Sequence, residues 1–134
     1  MITLRADGTP HAVRVAVGLV EGKIWSSGTQ RRVRTKHLRR DPRSTLFVYD
    51  TQEGARSWRW LGIETTATIL EGPNVPDLSL RLFQVFQRHM TPEPRPGHVM
   101  WGGQEKTIEE FLKTMVEEQR LIYEFEVWRT YGMY

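Results

Sequence analysis

The chain contains no cysteine, which excludes disulfides, thiolate metal sites and cysteine nucleophiles and is compatible with a reducing compartment. The cytoplasm is therefore the expected location. No window approaches the roughly 18 consecutive apolar residues of a membrane span, and the opening Met1-Ile2-Thr3-Leu4-Arg5 leaves no room for a signal peptide. The four histidines, His11, His37, His89 and His98, show no metal-ligand spacing, and no Ser-His-acid order is suggested. No metal site is expected, and no catalytic side chain can be assigned. His11 is the one residue considered as a proton donor.

What is present suits one globular domain over residues 1–134, since 39% hydrophobic residues at this length suffice for a core. Fourteen aromatics, five of them Trp, supply apolar surface for that core or for a subunit interface. The net charge of +3 conceals an asymmetry: residues 31–43 hold seven Lys or Arg against the single acid Asp41, so this segment carries +6 and the remainder −3. Such a focus reads as a local anion site. Nucleic acid would instead want the charge spread over a face, and nucleic-acid binding is not expected.

The first half reads as short strands. Ile2 to Arg5 precedes the turn Ala6-Asp7-Gly8-Thr9-Pro10, whose Asp-Gly pair suits positive φ. His11 to Val20 alternates, with Val13, Val15 and Val17 on one face and Ala12, Arg14 and Ala16 on the other; Glu21-Gly22 then turns into Lys23 to Ser27. Gln30 to Arg40 lacks β-branched alternation and stops at Asp41-Pro42, which predicts a short helix with the basic run at a strand-to-helix junction. Strands are predicted at Thr45 to Asp50 and Trp58 to Leu70, joined by residues 51–55.

In the second half, Asp77 can cap a helix carrying Leu80, Leu82, Phe83, Val85 and Phe86 at helical spacing. Thr91 to Gly103, rich in Pro and Gly, reads as a loop or lid. Thr107-Ile108-Glu109-Glu110 has the form of a capping box ahead of a helix to Glu118, with Ile108, Phe111, Leu112 and Met115 as its buried stripe. Leu121 to Thr130 is a last strand. About six strands in meander order with two or three helices argue for an α+β antiparallel barrel and against a parallel sheet.

Two stretches carry a family likeness: Thr3-Leu4-Arg5-Ala6-Asp7-Gly8-Thr9-Pro10-His11, and Arg32-Val33-Arg34-Thr35-Lys36-His37-Leu38-Arg39-Arg40-Asp41-Pro42-Arg43. Together they resemble the pyridoxamine 5′-phosphate oxidase-like split β-barrels, in particular the actinobacterial branch of coenzyme F420-dependent enzymes. Glu64-Thr65-Thr66-Ala67 and Trp128-Arg129-Thr130-Tyr131-Gly132 match that family's later strands, so the likeness spans almost the whole chain. Two features depart from it. Relatives carry a helix ahead of the first strand, whereas this chain starts almost on the strand, and Met90 to Gly103 looks like an insert.

The resemblance implies a six-stranded antiparallel split β-barrel with two to three flanking helices, and a homodimer whose sites are built from two chains. It implies Arg32 and Arg34 as phosphate ligands of the cofactor, with Thr35 and Ser27 as hydroxyl donors. Two arginines at the mouth of a helix are chemically suited to that, because their guanidinium forks join the backbone N–H groups of the helix start. The competing reading is a solvated basic face. By the same resemblance the strand around His11, Val13 and Arg14 is the platform for the ring, and Trp58 or Trp60 walls the slot or belongs to the core. Arg39, Arg40 and Arg43 are expected to face solvent or pair with acids such as those of Glu109 to Glu118, or to meet an anionic cofactor tail.

The implied activity is hydride transfer between reduced F420 and a small conjugated organic substrate, which asks of the protein mainly alignment and exclusion of water. The same barrel holding FMN is the first alternative, and a non-catalytic carrier of the cofactor is the second. Pyridoxamine phosphate oxidase activity itself is not expected, because the ending Val127-Trp128-Arg129-Thr130-Tyr131 lacks those enzymes' substrate-binding tail.

Overall fold

In the computed structural model, which describes residues 1–49 and 59–134, the predicted turn closes as its chemistry requires. Asp7 accepts hydrogen bonds from the backbone and hydroxyl of Thr9 (3.0 and 2.6 Å), and Gly8 sits at φ +83°, a conformation glycine adopts without steric cost. The turn pairs β1 (Ile2–Leu4) with β2 (Pro10–Ala12).

The single strand expected over His11 to Val20 is divided. Its start is β2 and its end is β3 (Gly18–Val20), which pairs with β4 (Lys23–Thr29), while residues 13–17 join no ladder. The alternation nevertheless holds across the gap: Val13, Val15 and Val17 pack on the main core and Ala12, Arg14 and Ala16 are exposed. Period 2 reports burial on one face, not hydrogen bonding, so the sequence pattern could not reveal the break.

Helix α1 (Val33–Arg40) leads into β5 (Arg43–Tyr49) and the long β6 (Trp60–Leu70). Asp50, residues 51–55 and Trp58 lie outside the described residues. Helices α2 (Val75–Gln87) and α3 (Ile108–Glu117) flank a hairpin, β7 (His98–Trp101) with β8 (Gln104–Thr107), and the 14-residue β9 (Arg120–Met133) ends the fold. The sheet order is β2-β1-β5-β6-β9-β4-β3, antiparallel throughout. Seven strands laid flat would span about 29 Å. The stretch from Ala12 to Gly18, which links the two edges, reaches about 22 Å at most. The sheet must curl, and the α+β barrel-type architecture follows, with seven strands in the main sheet where six were expected.

Three apolar clusters result. The interior gathers Leu38 of α1 with Leu46, Ile63, Ala67, Leu121, Tyr123 and Phe125. Leu82 of α2 covers the outer face with Val20, Trp25 and Ile122. The third holds Val99, Phe111 and Met115.

Two readings of the second half are corrected. The helix begins earlier than Asp77, at an Asn74 N-cap without a side-chain cap bond; Pro76 is tolerated because N–H groups of the first turn need no helical acceptor. The stretch read as a loop contains β7, whose Val99 is buried against Phe111 and Met115. By contrast the capping box forms as its sequence dictates, with Glu110 N donating to Thr107 Oγ1 (3.2 Å) and Thr107 N to Glu110 Oε2 (2.9 Å). No helix of the described residues is long and apolar enough to cross a membrane.

Candidate functional site at the β4–α1 junction

β4 delivers Ser27 one turn of chain before the basic helix, and Arg32 is the N-cap of α1 without a side-chain cap bond and with no acid in the first turn. The positive end of the helix dipole is thus left for an external anion. Arg34, at the second helical position, is half-buried; one of its terminal nitrogens lies 3.5 Å from the Ser27 carbonyl, a marginal hydrogen bond, and its guanidinium carbon lies 5.7 Å from the centre of the Tyr123 ring.

Two polar atoms at this corner are buried without any partner, Arg34 Nε and Ser27 Oγ. An unsatisfied buried donor costs roughly 1–3 kcal/mol. Two such groups on residues already in contact through the Ser27 carbonyl, one cationic and one a hydroxyl, at an uncapped helix start, form a donor set that fits the phosphate of a flavin or deazaflavin. A third unpartnered atom, Ser79 Oγ, lies elsewhere, in α2.

The other expected residues distribute as follows. Thr35 is fully buried; its hydroxyl donates to Thr29 O (2.7 Å) and meets the Tyr123 hydroxyl at 2.5 Å, so it is engaged within the fold. Arg32 is exposed and lines a separate depression with Arg31, Glu118 and Arg120, in whose lining Arg34 takes no part. Val13 and Arg14 line an apolar groove of about 620 Å³ with Val15, Phe47 and Tyr49. Among the described residues the backbone N–H groups of Arg14 to Val17 donate no hydrogen bond, and Arg14 makes no ion pair. His11 turns away from that groove: Arg5 approaches its Nδ1 at 3.3 Å, and its ring meets His37 edge-on at 5.2 Å. Trp58 lies outside the described residues, whereas Trp60 stacks on Phe47 and meets Tyr131 edge-on, in a ladder across β5, β6 and β9.

The basic run is less open than its count suggests. Arg39 is bound by Glu71 (3.0 and 2.5 Å) and by Gln30; Arg43 holds Asp41; Arg40 donates to the Leu4 carbonyl. None of the three pairs with the acids of Glu109 to Glu118. The guanidinium of Arg39, then the amide of Gln30, hold the Glu71 carboxyl down at about 2, and the Arg43 side chain does the same for Asp41, also about 2. Arg31, Arg32 and Lys36 have no ion pair among the described residues.

Tyr123 was not foreseen at this site. It lies in the stretch read as the last strand, but its reach to Thr35, 88 residues away, was not legible there. Gly28 belongs with it, because a Cβ there would run into the Tyr123 hydroxyl.

No family model matches the sequence. A curated relative does: the chain is 33% identical over 106 residues to the F420H(2)-dependent biliverdin reductase of Mycobacterium tuberculosis, covering 75% of this chain and 69% of that protein. The chain belongs to the pyridoxamine 5′-phosphate oxidase-like split β-barrels, in their F420-dependent reductase branch. Solved structures extend the agreement in fold to nearly the whole chain. A conserved hypothetical protein of M. tuberculosis matches with a TM-score of 0.72 at 22% identity, over 98% of this chain and 73% of the other. An F420 reductase matches with a TM-score of 0.64 at 16% identity, over 97% and 85%. Within this split-barrel frame, the β4–α1 junction is the one place among the described residues where a nitrogen of a cationic side chain and a hydroxyl oxygen are both buried and unpartnered.

Proposed function

We propose that this chain is an F420-dependent oxidoreductase of one split-barrel domain that passes a hydride between the reduced deazaflavin and a small conjugated organic molecule. The unpartnered pair Arg34 Nε and Ser27 Oγ carries the reading, and the kinship with an F420H(2)-dependent reductase supports it. Arg34 and Ser27 would hold the cofactor phosphate with the first N–H groups of α1, and Arg32 would add charge at the rim. Thr35 contributes by locking the helix start to Thr29. When bound, the deazaflavin supplies the hydride. The chain's part is to orient the ring and keep it dry. The free N–H groups along Arg14 to Val17 offer hydrogen bonds to the polar ring edge, and Val13 and Val15 offer an apolar wall.

Exposed Phe47, Tyr49, Trp128 and Tyr131 suit a subunit interface, and we read the protein as a homodimer with its sites completed between two chains. The cysteine-free composition fits the cytoplasm.

The test is a fluorescence titration with F420 and, separately, FMN, repeated on Arg32→Ala plus Arg34→Ala. Selective deazaflavin binding lost in the double variant is the expected result. Preference for FMN would reassign the cofactor, and binding of neither would sink the reading.

A further inference from the structure

An arginine whose Nε is buried without a partner is an unstable arrangement unless something else restrains it. The free side chain carries about 2 kcal/mol of rotamer entropy and would gain hydration by swinging out. Within the protein Arg34 has a marginal contact with the Ser27 carbonyl at 3.5 Å and the face of the Tyr123 ring at 5.7 Å. Tyr123 is itself immovable. It is fully buried, its ring lies over Gly28, where any Cβ would collide with it, and its hydroxyl sits 2.5 Å from Thr35 Oγ1. Thr35 has a single hydroxyl proton, which goes to the Thr29 carbonyl. Tyr123 must therefore be the donor to Thr35, and the relay runs from β9 through α1 to the end of β4.

We infer that Tyr123 is a positioning residue for the anion site: its ring holds the Arg34 guanidinium in place before any phosphate arrives, while its hydroxyl is engaged with Thr35 within the fold. This rests on the reading of Arg34 as the phosphate ligand, and it makes Tyr123 of β9 a part of the site although its own side chain would not touch the phosphate. Pre-organisation of this kind shows as affinity for the phosphorylated cofactor alone, because the ordering of Arg34 is then completed before binding.

The experiment uses the full chain and two probes that differ only in the phosphate, the 8-hydroxy-5-deazaflavin ribityl chromophore and its 5′-phosphate, and reads the ratio of their dissociation constants. Residue 123 is varied as Tyr123→Phe, which keeps the ring, and as pentafluorophenylalanine at the same position, which keeps the size and inverts the ring's quadrupole. Tyr123→Phe should hold the ratio within about twofold, and fluorination should cut it by roughly five- to tenfold, the scale of a partly desolvated cation–π contact. The chromophore alone should bind all forms equally. A ratio indifferent to fluorination, or an equal loss for both probes, would overturn the positioning role. If Arg34→Gln removes the phosphate preference while fluorination does not, the site stands and Tyr123 does not serve it. A wild type with no preference for the phosphorylated molecule would overturn both.

Discussion

In the lobe formed by α2, α3 and the β7–β8 hairpin, polar groups find partners within the protein. Thr107 and Glu110 cap α3 reciprocally, the Gln87 amide both donates to Met100 O and accepts from Met100 N at 2.8 Å, and Arg120 lies 4.5 Å above the Trp101 ring. Ser79 Oγ is the one buried side-chain atom there without a partner. At the β4–α1 corner the residues are equally polar, but the helix start is uncapped and two donors are buried and unused. The lobe uses its polar groups for stability, whereas the corner leaves two of them unused, the arrangement that the proposed anion site requires.

This contrast can be broken most severely at Phe111, which is completely buried between Val99, Met115 and the Phe83 and Trp101 rings. Phe111→Ala is expected to cost about 3–5 kcal/mol in urea unfolding, with the deazaflavin affinity of the folded fraction unchanged. A parallel loss of affinity would show that the lobe and the corner are not separate in function. Gly28→Ala attacks the corner instead. The added Cβ displaces Tyr123, and the variant should lose about 1–3 kcal/mol and also bind F420 more weakly, a coupling that Phe111→Ala should not show.

A matched pair sharpens the comparison further. Thr107→Ala removes a satisfied cap and should cost about 1 kcal/mol with no effect on cofactor binding. Ser27→Ala removes an unsatisfied hydroxyl, so stability should stay level or rise by up to about 1–3 kcal/mol, while F420 affinity falls. Equal destabilisation by both would mean that Ser27 has a partner in the folded protein.

The smallest effect concerns pH. His37 on α1 is buried, shares a hydrogen bond of 2.9 Å with Thr3 Oγ1, and is held below its ordinary value by burial first, then by His11, Arg40 and Arg5. Because the folded value is depressed, the stabilisation is fully present above the unfolded value of about 6.5 and is lost as pH falls through the folded one. Stability should therefore decline on acidification below about pH 6.5. His37→Gln should flatten that part of the profile, and an unaltered slope would show that another group is responsible.

Much of this was legible along the chain. The Asp7-Gly8 turn, the Thr107–Glu110 box and the buried stripe of α3 each depend on residues within a few positions of one another, so the sequence alone determines them. Arg34 and Ser27, the proposed phosphate ligands, were among the residues that the family resemblance named beside Arg32 and Thr35. Their state was not legible, because Nε and Oγ are unpartnered only by virtue of what packs around them. The same holds for Arg39, claimed by Glu71 from 32 positions away. It holds too for residues 13–17, which keep the rhythm of a strand while the curl of the sheet carries them between its edges.

The sequence by itself determined the local elements, the antiparallel α+β class and the concentration of basic charge in residues 31–43, since turn chemistry, periodicity and charge act over short stretches of chain. The tertiary structure decided which cations are already neutralised, which hydroxyls are spent and which aromatic ring holds Arg34, because each of those depends on contacts that exist only once distant strands have met.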